Sequence, residues 1–322
     1  MKKILVTERI PGPALDMLTK EGFEVHVGSE SGPLSKEGLI KKITAMPYDA
    51  VLSLLTNKID STIFDVAPTV KIYANYAVGF DNIDIVEAKK RGITVTNTPT
   101  PLVSEAVAEH TLALLFSLMM RVTEGDSYVR RGLYKAWDPN LLIHPDMQGK
   151  VVGIVGAGHI GATVGRVMHH GFGCTVVYQD IKRNQYIEED CNASYKESLE
   201  DLLKVSDIVT LHVPLMPQTK HLINAKTLGM MKDGAYLINT ARGGVVDERA
   251  LAEVLSGGRL GGVALDVFED EPQVYKGLLS FSNVLLTPHV ASATVRVRDE
   301  MSRIAASNII AVLKGEKAPN AL

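Results

Sequence analysis

One segment limits the possible folds of this chain more than any other: a short apolar run that ends in a glycine-rich turn and continues as a helical pattern. The apolar run covers residues 151–155, and the turn places Gly156, Gly158 and Gly161 in the spacing G-x-G-x-x-G. In this spacing the first glycine makes a tight turn, the second lets the backbone approach a bound pyrophosphate, and the third lets the helix lie close to the strand. We therefore expect a strand, a turn and a helix whose free N–H groups face a phosphate group.

The residues after this turn support the interpretation as a dinucleotide site. A second apolar run covers residues 174–178, and Asp180 stands 19 residues past Gly161. A carboxylate there can accept hydrogen bonds from an adenosine ribose and would repel a 2′-phosphate. Lys182 and Arg183 keep the alternative open, because basic groups beside Asp180 could hold that phosphate. We expect NAD as the cofactor, with NADP as the alternative.

Two series of alternating apolar runs and helical patterns predict the fold class. At roughly 150 residues per domain, the 322 residues correspond to about two domains. Alternation of strands and helices is typical of a parallel sheet that is covered on both faces. We predict two doubly wound parallel-sheet α/β domains. We expect a Rossmann dinucleotide-binding domain, residues 100–289, inserted into a flavodoxin-like substrate domain, residues 1–99 and 290–322.

Local signals predict where three helices begin. Ser35 is a plausible N-cap for a helix that continues to Ile43, because a serine oxygen can accept from the free N–H groups of the first turn. Ser104 is the predicted N-cap of a long apolar helix that continues to residue 120. A third helical pattern covers residues 292–313.

Composition excludes several classes of protein. A formal net charge of −3 does not provide the basic surface that nucleic-acid binding requires. The most apolar stretch, residues 112–120, is too short to cross a bilayer, so no membrane partner is expected. Cys174 and Cys191 predict neither a disulfide framework nor a zinc site, and the pair His169–His170 lacks accompanying ligands, so we expect no metal. We expect a cytoplasmic protein.

Four polar residues point to catalysis. Arg242, Asp266, Glu271 and His289 each come shortly after a predicted strand of the second series. Singly, each would be an ordinary surface residue. Together they fall at the carboxyl ends of parallel strands, which face the ligand crevice of a doubly wound sheet. An arginine there can hold a carboxylate with two hydrogen bonds.

Several of these stretches carry a family resemblance. The chain resembles the D-isomer-specific 2-hydroxyacid dehydrogenases over essentially its whole length, and within that family it is most similar to the glyoxylate and hydroxypyruvate reductases. The matching stretches are residues 76–84, 104–110, 156–161, 211–215, 239–243, 264–268, 271–272 and 287–289.

The resemblance implies a role for each candidate catalytic residue. Arg242 would hold the carboxylate and carbonyl of a 2-keto acid, and the backbone amides of Val78 and Gly79 would hold the carboxylate as well. His289 would protonate the carbonyl oxygen while the nicotinamide delivers hydride, and Glu271 would orient His289 and keep it protonated near neutral pH. These roles make physical sense, because hydride transfer leaves negative charge on oxygen, and a nearby cation and a proton donor lower the barrier.

The resemblance also implies which residues contact the dinucleotide. Besides the glycines of the turn and Asp180, they are Val107, His159, Ile160, His212, Val213, Pro214, Thr219, Thr240, Ala241, Arg242, Asp266 and His289. The relatives are usually homodimers joined through the cofactor domain, with residues 104–120 and the stretch around Trp137 as natural contributors.

The substrate is less narrowly defined. Leu54 and Leu55 follow a buried strand of the first domain and form either an apolar wall over a small substrate or ordinary core. A small wall favours glyoxylate or hydroxypyruvate, reduced to the D-2-hydroxy acid. Two alternatives stay open: a D-3-phosphoglycerate dehydrogenase without a regulatory domain, and a non-catalytic NADH-sensing protein of the corepressor type.

Overall fold

The chain divides into two compact units. The computed structural model describes residues 1–322. One unit, called here the split unit, comprises Met1–Val103 and Ala293–Leu322, and the other, the central unit, comprises Ser104–Ser292. The division falls a few residues after the predicted positions 99 and 289. The functions assigned to the two units stay predictions at this point.

All strands that pair do so in parallel within their own sheet. The strands are β1 (Lys3–Val6), β2 (Glu24–Val27), β3 (Ala50–Ser53), β4 (Ile72–Asn75), β5 (Thr94–Thr96), β6 (Val151–Val155), β7 (Thr175–Gln179), β8 (Ser194–Tyr195), β9 (Ile208–Leu211), β10 (Tyr236–Asn239), β11 (Gly262–Leu265) and β12 (Val284–Leu286).

Helices connect most of these strands. They are α1 (Ala14–Lys20), α2 (Lys36–Ile43), α3 (Ser61–Val66), α4 (Ile85–Lys90), α5 (Pro101–Met119), α6 (Val122–Arg130), α7 (His159–Phe172), α8 (Gln185–Cys191), α9 (Leu199–Val205), α10 (Ala225–Leu228), α11 (Glu248–Ser256) and α12 (Val295–Leu313). Two 3₁₀ turns, Gly243–Val245 and Lys276–Leu278, complete the regular structure.

Both sheets have the strand orders of doubly wound folds. The split unit has the order β2-β1-β3-β4-β5, which is the flavodoxin-like arrangement. The central unit has the order β12-β11-β10-β9-β6-β7-β8, a Rossmann sheet with a seventh strand at one edge. In the central unit the order reverses between β6 and β9, and ligands of such sheets bind at that switch point. The predicted fold class is confirmed.

The central sheet is covered on both faces, which explains why its strands read as continuous apolar runs. Val152 and Ile154 of β6 pack into one core cluster with Leu115 of α5. Val155 points to the opposite face, where it shares a second cluster with Leu251 of α11. Successive residues of a strand face opposite sides, so a sheet between two helix layers needs apolar residues at every position.

The predicted helix starts are partly wrong. Ser35 is the N-cap of α2, and its hydroxyl accepts from the Gly38 N–H at 3.1 Å. Helix α5, however, begins at Pro101 and not after Ser104. Proline fits the first helical position because its missing N–H would have no partner there and its φ angle is already helical. Helix α12 begins at Val295, after the N-cap Thr294, and not at residue 292.

Helix α5 is longer than the apolar stretch that the sequence indicated. With 19 residues it is long and apolar enough to cross a membrane by length and composition alone, whereas the apolar stretch considered in the sequence covers only residues 112–120. Eight of its residues are buried within the protein, among them Leu112, Leu115 and Met119 in the core cluster of the central sheet. An all-round apolar pattern is also typical of a helix buried in a protein core.

Candidate active site

The three glycines of the turn have three different structural environments. Gly156 has a φ of +92°, and a Cβ atom there would lie 2.9 Å from the His212 backbone. At Gly161 a Cβ would overlap the carbonyl oxygen of Gly156, so only glycine lets α7 approach the strand. At Gly158, the N-cap of α7, a Cβ would meet no atom within 4 Å. The protein alone therefore does not require glycine at position 158, and the open space beside this N-cap fits a bound phosphate.

Asp180 lies beside the glycine turn at the end of β7. One of its carboxylate oxygens accepts from the Ala157 N–H at 2.8 Å, and the other accepts from the Ile181 N–H at 2.7 Å. The Asn184 amide donates to the Ala157 carbonyl at 2.6 Å. Both polar groups of the Ala157 residue are thus held, and the Asp180 carboxylate is fixed at the edge of the turn.

The basic residues after Asp180 have different surroundings. Arg183 forms a two-pronged ion pair with Glu188, with N–O distances of 3.0 and 3.1 Å. Its guanidinium also lies over the Tyr195 ring, 5.5 Å from the ring centre. Lys182 is exposed. Arg183 is therefore held by an acid, which weakens the case for a 2′-phosphate site.

His212 follows β9 on the other side of the switch point. Its ring nitrogen Nε2 is hydrogen-bonded to the Thr210 hydroxyl, and its buried Nδ1 has no partner. Burial lowers the pKa of His212 to about 3, so the ring is neutral at physiological pH. A hydrogen bond closes the loop that follows: the Thr219 hydroxyl donates to the Pro214 carbonyl at 2.6 Å.

The remaining residues predicted to contact the cofactor also lie in the central unit. Val107 is a buried residue of α5, and one turn further on the Thr111 hydroxyl is 2.8 Å from that of Thr240. His159 and Ile160 form the first turn of α7, and Val213 is half-buried after His212.

Arg242 lies on the loop after β10, which packs directly against the loop after β11. The Asn239 amide donates to the Arg242 carbonyl at 2.9 Å, and the Arg242 guanidinium donates to the Ala241 carbonyl at 2.7 Å. A Cβ at Gly243 would overlap the backbone of Phe268, so the loops after β10 and β11 are in direct backbone contact. The side chain of Arg242 is half-buried.

His289 and Glu271 form the predicted pair. Glu271 Oε2 lies 2.8 Å from His289 Nδ1, and Glu271 Oε1 accepts from the Phe268 N–H at 3.0 Å. Burial raises the pKa of Glu271, but these two hydrogen bonds and the charges of His289 and Arg242 outweigh it. The net pKa of Glu271 lies below the ordinary value of a glutamate, so this carboxylate is ionised at neutral pH.

Two further acids on the same turn have other surroundings. Glu269 lies 2.5 Å from His221 and pairs with that histidine instead. Asp270 is exposed and forms a backbone bridge with Gln273. Of the three acids that the sequence places near this turn, only Glu271 contacts His289.

Asp266 holds the segment that carries His289. Its fully buried carboxylate accepts from the Val290 N–H at 2.9 Å and from the Ala291 N–H at 2.8 Å. The Thr287 hydroxyl also donates to it, at 2.6 Å. His289 itself has a φ of +53°, which an L-residue adopts only at a cost of about 1–2 kcal/mol. The hydrogen bonds of Asp266 fix this left-handed conformation.

Two residues of this network, His110 and Thr287, had no role assigned from the sequence. His110 on α5 places its Nε2 atom 3.2 Å from the Thr287 hydroxyl and 3.4 Å from the Asp266 carboxylate. Because the Thr287 hydroxyl donates to Asp266, it accepts from His110, which fixes the proton on His110 Nε2. Only their positions within the stretches 104–110 and 287–289, already part of the resemblance, could have drawn attention to them.

Three predicted substrate-binding residues lie in the split unit. Leu54 is half-buried directly after β3, and its N–H donates to the Asn57 side chain at 3.0 Å. Val78 and Gly79 form part of the turn after β4, where Val78 is exposed. All three follow the carboxyl ends of strands in their own sheet.

Comparison with known proteins identifies the family. The sequence profile of "D-isomer specific 2-hydroxyacid dehydrogenase, NAD binding domain" matches residues 112–291. The chain belongs to this family. It is an NAD(P)-dependent D-2-hydroxyacid dehydrogenase, as the sequence predicted.

Individual relatives resemble the chain over nearly its full length. A glyoxylate reductase of Thermofilum pendens is 47% identical over 98% of this chain and 93% of its own. A solved structure from Thermus thermophilus has a TM-score of 0.91 at 41% identity, covering 99% of both chains. An NADPH-dependent glyoxylate/hydroxypyruvate reductase of Sinorhizobium meliloti, solved with NADP and malonate, has a TM-score of 0.85 at 30% identity, covering 100% of this chain and 96% of its own.

Proposed function

We propose that this dehydrogenase reduces glyoxylate, and also hydroxypyruvate, to the D-2-hydroxy acid with NADH as the hydride donor. The observation that carries the proposal is the contact between Glu271 and His289 beside the charge of Arg242. The names of the relatives support glyoxylate as the substrate. The reductase is favoured over a phosphoglycerate dehydrogenase and over a non-catalytic NADH sensor.

In this proposal His289 supplies the proton. Glu271 is ionised and can only accept, so His289 Nδ1 carries the hydrogen of their 2.8 Å contact and Nε2 is left for the substrate. A nicotinamide cofactor held at the glycine turn would supply hydride to the keto carbon. The proton on His289 Nε2 moves to the carbonyl oxygen, leaving a neutral imidazole whose Nδ1–H still faces Glu271.

Substrate anchoring is assigned to one arginine side chain, two backbone N–H groups and one apolar side chain. The guanidinium of Arg242 binds the carboxylate and the carbonyl oxygen, where it stabilises the negative charge that develops during hydride transfer. The backbone N–H groups of Val78 and Gly79 bind the carboxylate. Leu54 provides an apolar surface that favours a small substrate. Anchoring the carboxylate presents one face of the carbonyl to hydride and so determines the D configuration.

A substrate panel tests the function. The purified protein is assayed by loss of NADH absorbance with glyoxylate, hydroxypyruvate, pyruvate and 3-phosphohydroxypyruvate. We expect glyoxylate and hydroxypyruvate to have the highest kcat/KM, and His289→Ala to lower kcat by at least about 100-fold while NADH still binds. A protein that binds NADH but reduces no 2-keto acid at millimolar concentration would instead be a sensor, and a preference for the phosphorylated acid would indicate a phosphoglycerate dehydrogenase.

The charge of Glu271 predicts a pH effect. Glu271→Gln keeps an acceptor for His289 Nδ1–H but removes the negative charge that stabilises the imidazolium. The alkaline limb of the pH profile of kcat/KM for glyoxylate reduction should therefore move to lower pH, because a negative charge beside the histidine favours its protonated form.

Glu269→Gln is the matched control for this pH effect. It removes an acid two positions away on the same turn, but one that contacts His221. This variant should keep the wild-type profile. An alkaline limb that stays in place in Glu271→Gln would contradict the role assigned to Glu271.

The surroundings of Asp180 favour NADH over NADPH. The Asp180 carboxylate is fixed beside the Ala157 N–H, and the nearby Arg183 is already paired with Glu188. A 2′-phosphate on the adenosine ribose would meet a negative charge with no free arginine to balance it.

Removing the Asp180 charge should weaken this preference. Asp180→Asn keeps one oxygen that can accept from the Ala157 N–H, which is the contact between residue 180 and the glycine turn. We expect the ratio of kcat/KM for NADH to that for NADPH to fall about tenfold, equivalent to ~1.4 kcal/mol. Asp190→Asn, which removes an acid paired with His170, is the control and should leave the ratio unchanged. A wild-type protein that prefers NADPH would refute the assignment.

We further propose that the protein is a homodimer joined through its central unit. Exposed apolar side chains are concentrated between residues 122 and 143, where Trp137 is 80% exposed, Ile143 67% and Val129 58%. Such a patch on a water-soluble protein marks an interaction surface. The two cysteines are free thiols, which is typical of the reducing cytoplasm that we propose as the compartment.

Light scattering of the purified protein tests the dimer. We expect a mass of about twice 34.9 kDa. Trp137→Glu should shift the mass towards the monomer, because a charge in a desolvated interface is costly. Val295→Glu changes another highly exposed apolar residue, in the split unit, and should leave the mass unaltered. A wild-type protein that is monomeric at micromolar concentration would refute the proposal.

A further inference from the structure

The turn after β4 has an uneven distribution of hydrogen bonds. Two of its carbonyl groups accept hydrogen bonds from the residues that directly follow β5. The carbonyl of Ala77 accepts from the Thr98 N–H at 2.8 Å, and the carbonyl of Val78 accepts from the Asn97 side-chain amide at 2.8 Å. Two successive peptide groups are thus fixed by two successive residues of the neighbouring strand end.

A third carbonyl of this turn is also occupied. The Gly79 carbonyl accepts from the Asn75 amide at 2.9 Å. Asn75 is fully buried, and Asn82 holds it from the other side through contacts of 3.1 and 3.2 Å. Asn82 also donates to the carbonyl of Leu54 at 3.1 Å. A connected amide network therefore supports the loops that follow β3 and β4.

The occupied carbonyls determine where the N–H groups of the turn point. In a trans peptide the carbonyl of one residue and the N–H of the next point in opposite directions. The N–H groups of Val78, Gly79 and Phe80 are consequently directed away from the partners of the three carbonyls. None of the three donates a hydrogen bond within the protein. Successive backbone N–H groups without partners in the protein are available to bind an anion.

We propose that Asn97 is a positioning residue for substrate binding. By holding the Val78 carbonyl it keeps the peptide between Val78 and Gly79 oriented so that the Gly79 N–H donates to the substrate carboxylate. Without this amide the peptide is free to rotate and to turn its carbonyl oxygen towards the carboxylate, which repels it. This inference rests on the proposed carboxylate binding by Val78 and Gly79, and it adds the Phe80 N–H as a third donor.

Asn97 is a better test position than Asn75. Asn75 takes part in a buried network of several amides, so its replacement threatens the fold of the split unit. The side chain of Asn97 makes one hydrogen bond, to Val78, and the residue is 8% exposed, whereas Asn75 is fully buried. Its replacement removes the contact with little other change.

The experiment compares the steady-state kinetics of Asn97→Ala and Asn97→Asp with those of the wild-type enzyme. An interaction made equally in the ground state and the transition state affects KM and leaves kcat unchanged. We expect KM for glyoxylate to rise on the order of tenfold, with kcat within about twofold and KM for NADH unchanged. The inhibition constant of oxalate, a dicarboxylate that cannot be reduced, should rise in parallel. Asn97→Asp has the same shape but cannot donate when ionised, so its KM should rise at least as much.

Ser302→Ala separates positioning from general destabilisation. It likewise removes one buried side-chain hydrogen bond to the backbone of the split unit, at Ala14, at 2.9 Å. A purely structural loss lowers the amount of active enzyme and hence the apparent kcat, without changing KM. Ser302→Ala should therefore keep the wild-type KM.

The outcomes separate this inference from the proposed function. If the wild-type enzyme reduces no 2-keto acid, the proposed function fails. If the wild-type enzyme is active but both Asn97 variants keep its KM for glyoxylate and its inhibition constant for oxalate, the positioning role is overturned. A fall in kcat alone, matched by Ser302→Ala, would also overturn it.

Discussion

The buried carboxylate of Asp266 is the interaction on which the candidate acid depends. It accepts hydrogen bonds from the backbone of Val290 and Ala291 and from the hydroxyl of Thr287, and so fixes both sides of His289. A buried carboxylate without donors would be strongly destabilising, and a left-handed residue without support would relax. The two features stabilise each other: the backbone N–H groups beside His289 donate to the Asp266 carboxylate, and these hydrogen bonds hold His289 in the left-handed conformation. The histidine ring is then aimed by Glu271 alone.

Hydrogen bonds from side chains to the backbone also fix the geometry of the two anion-binding sites that we propose. At the glycine turn, Asp180 and Asn184 hold the backbone of Ala157. In the split unit, Asn97 and Asn75 hold the peptides around Val78 and Gly79. In both places an asparagine amide donates to a backbone carbonyl, so that the N–H of the following residue points away from that amide and towards a possible ligand. The orientation of these peptide groups is fixed before the ligand binds, which lowers the entropic cost of binding.

The sequence predicted what depends on local pattern and left out what depends on long-range contacts. The strands, the glycine turn and the pair of Glu271 and His289 follow from apolar runs, fixed spacings and family motifs. The start of α5 was misplaced because Ser104 and Pro101 are both acceptable start signals, and only packing selects between them. Asp266 was expected beside the cofactor, and its structural role was missed because its donors lie 21 to 25 residues further along the chain.

The amides that hold the turn after β4 were missed for a related reason. An asparagine near a strand end is common in any sequence, and nothing local distinguishes one that holds a carbonyl from one that faces water. His110 is a similar case, because 177 residues separate it from Thr287. Sequence patterns reveal residues whose type is unusual at their position. They do not reveal ordinary residues whose importance lies in their partner.

The contact at Gly243 has a consequence for how substrate range can change. Since its Cα lies against the Phe268 backbone, the loop of Arg242 cannot shift without moving the loop that leads to Glu271. The proposed anchor and the proposed proton-transfer pair thus lie on loops that are in direct contact within residues 239–291. Leu54, Val78 and Gly79 belong to a different stretch of the chain. Substitutions near Leu54, Val78 and Gly79 can therefore change which acid is bound without moving the loops of Arg242 and Glu271. Enzymes with different substrates could share the same loops within residues 239–291.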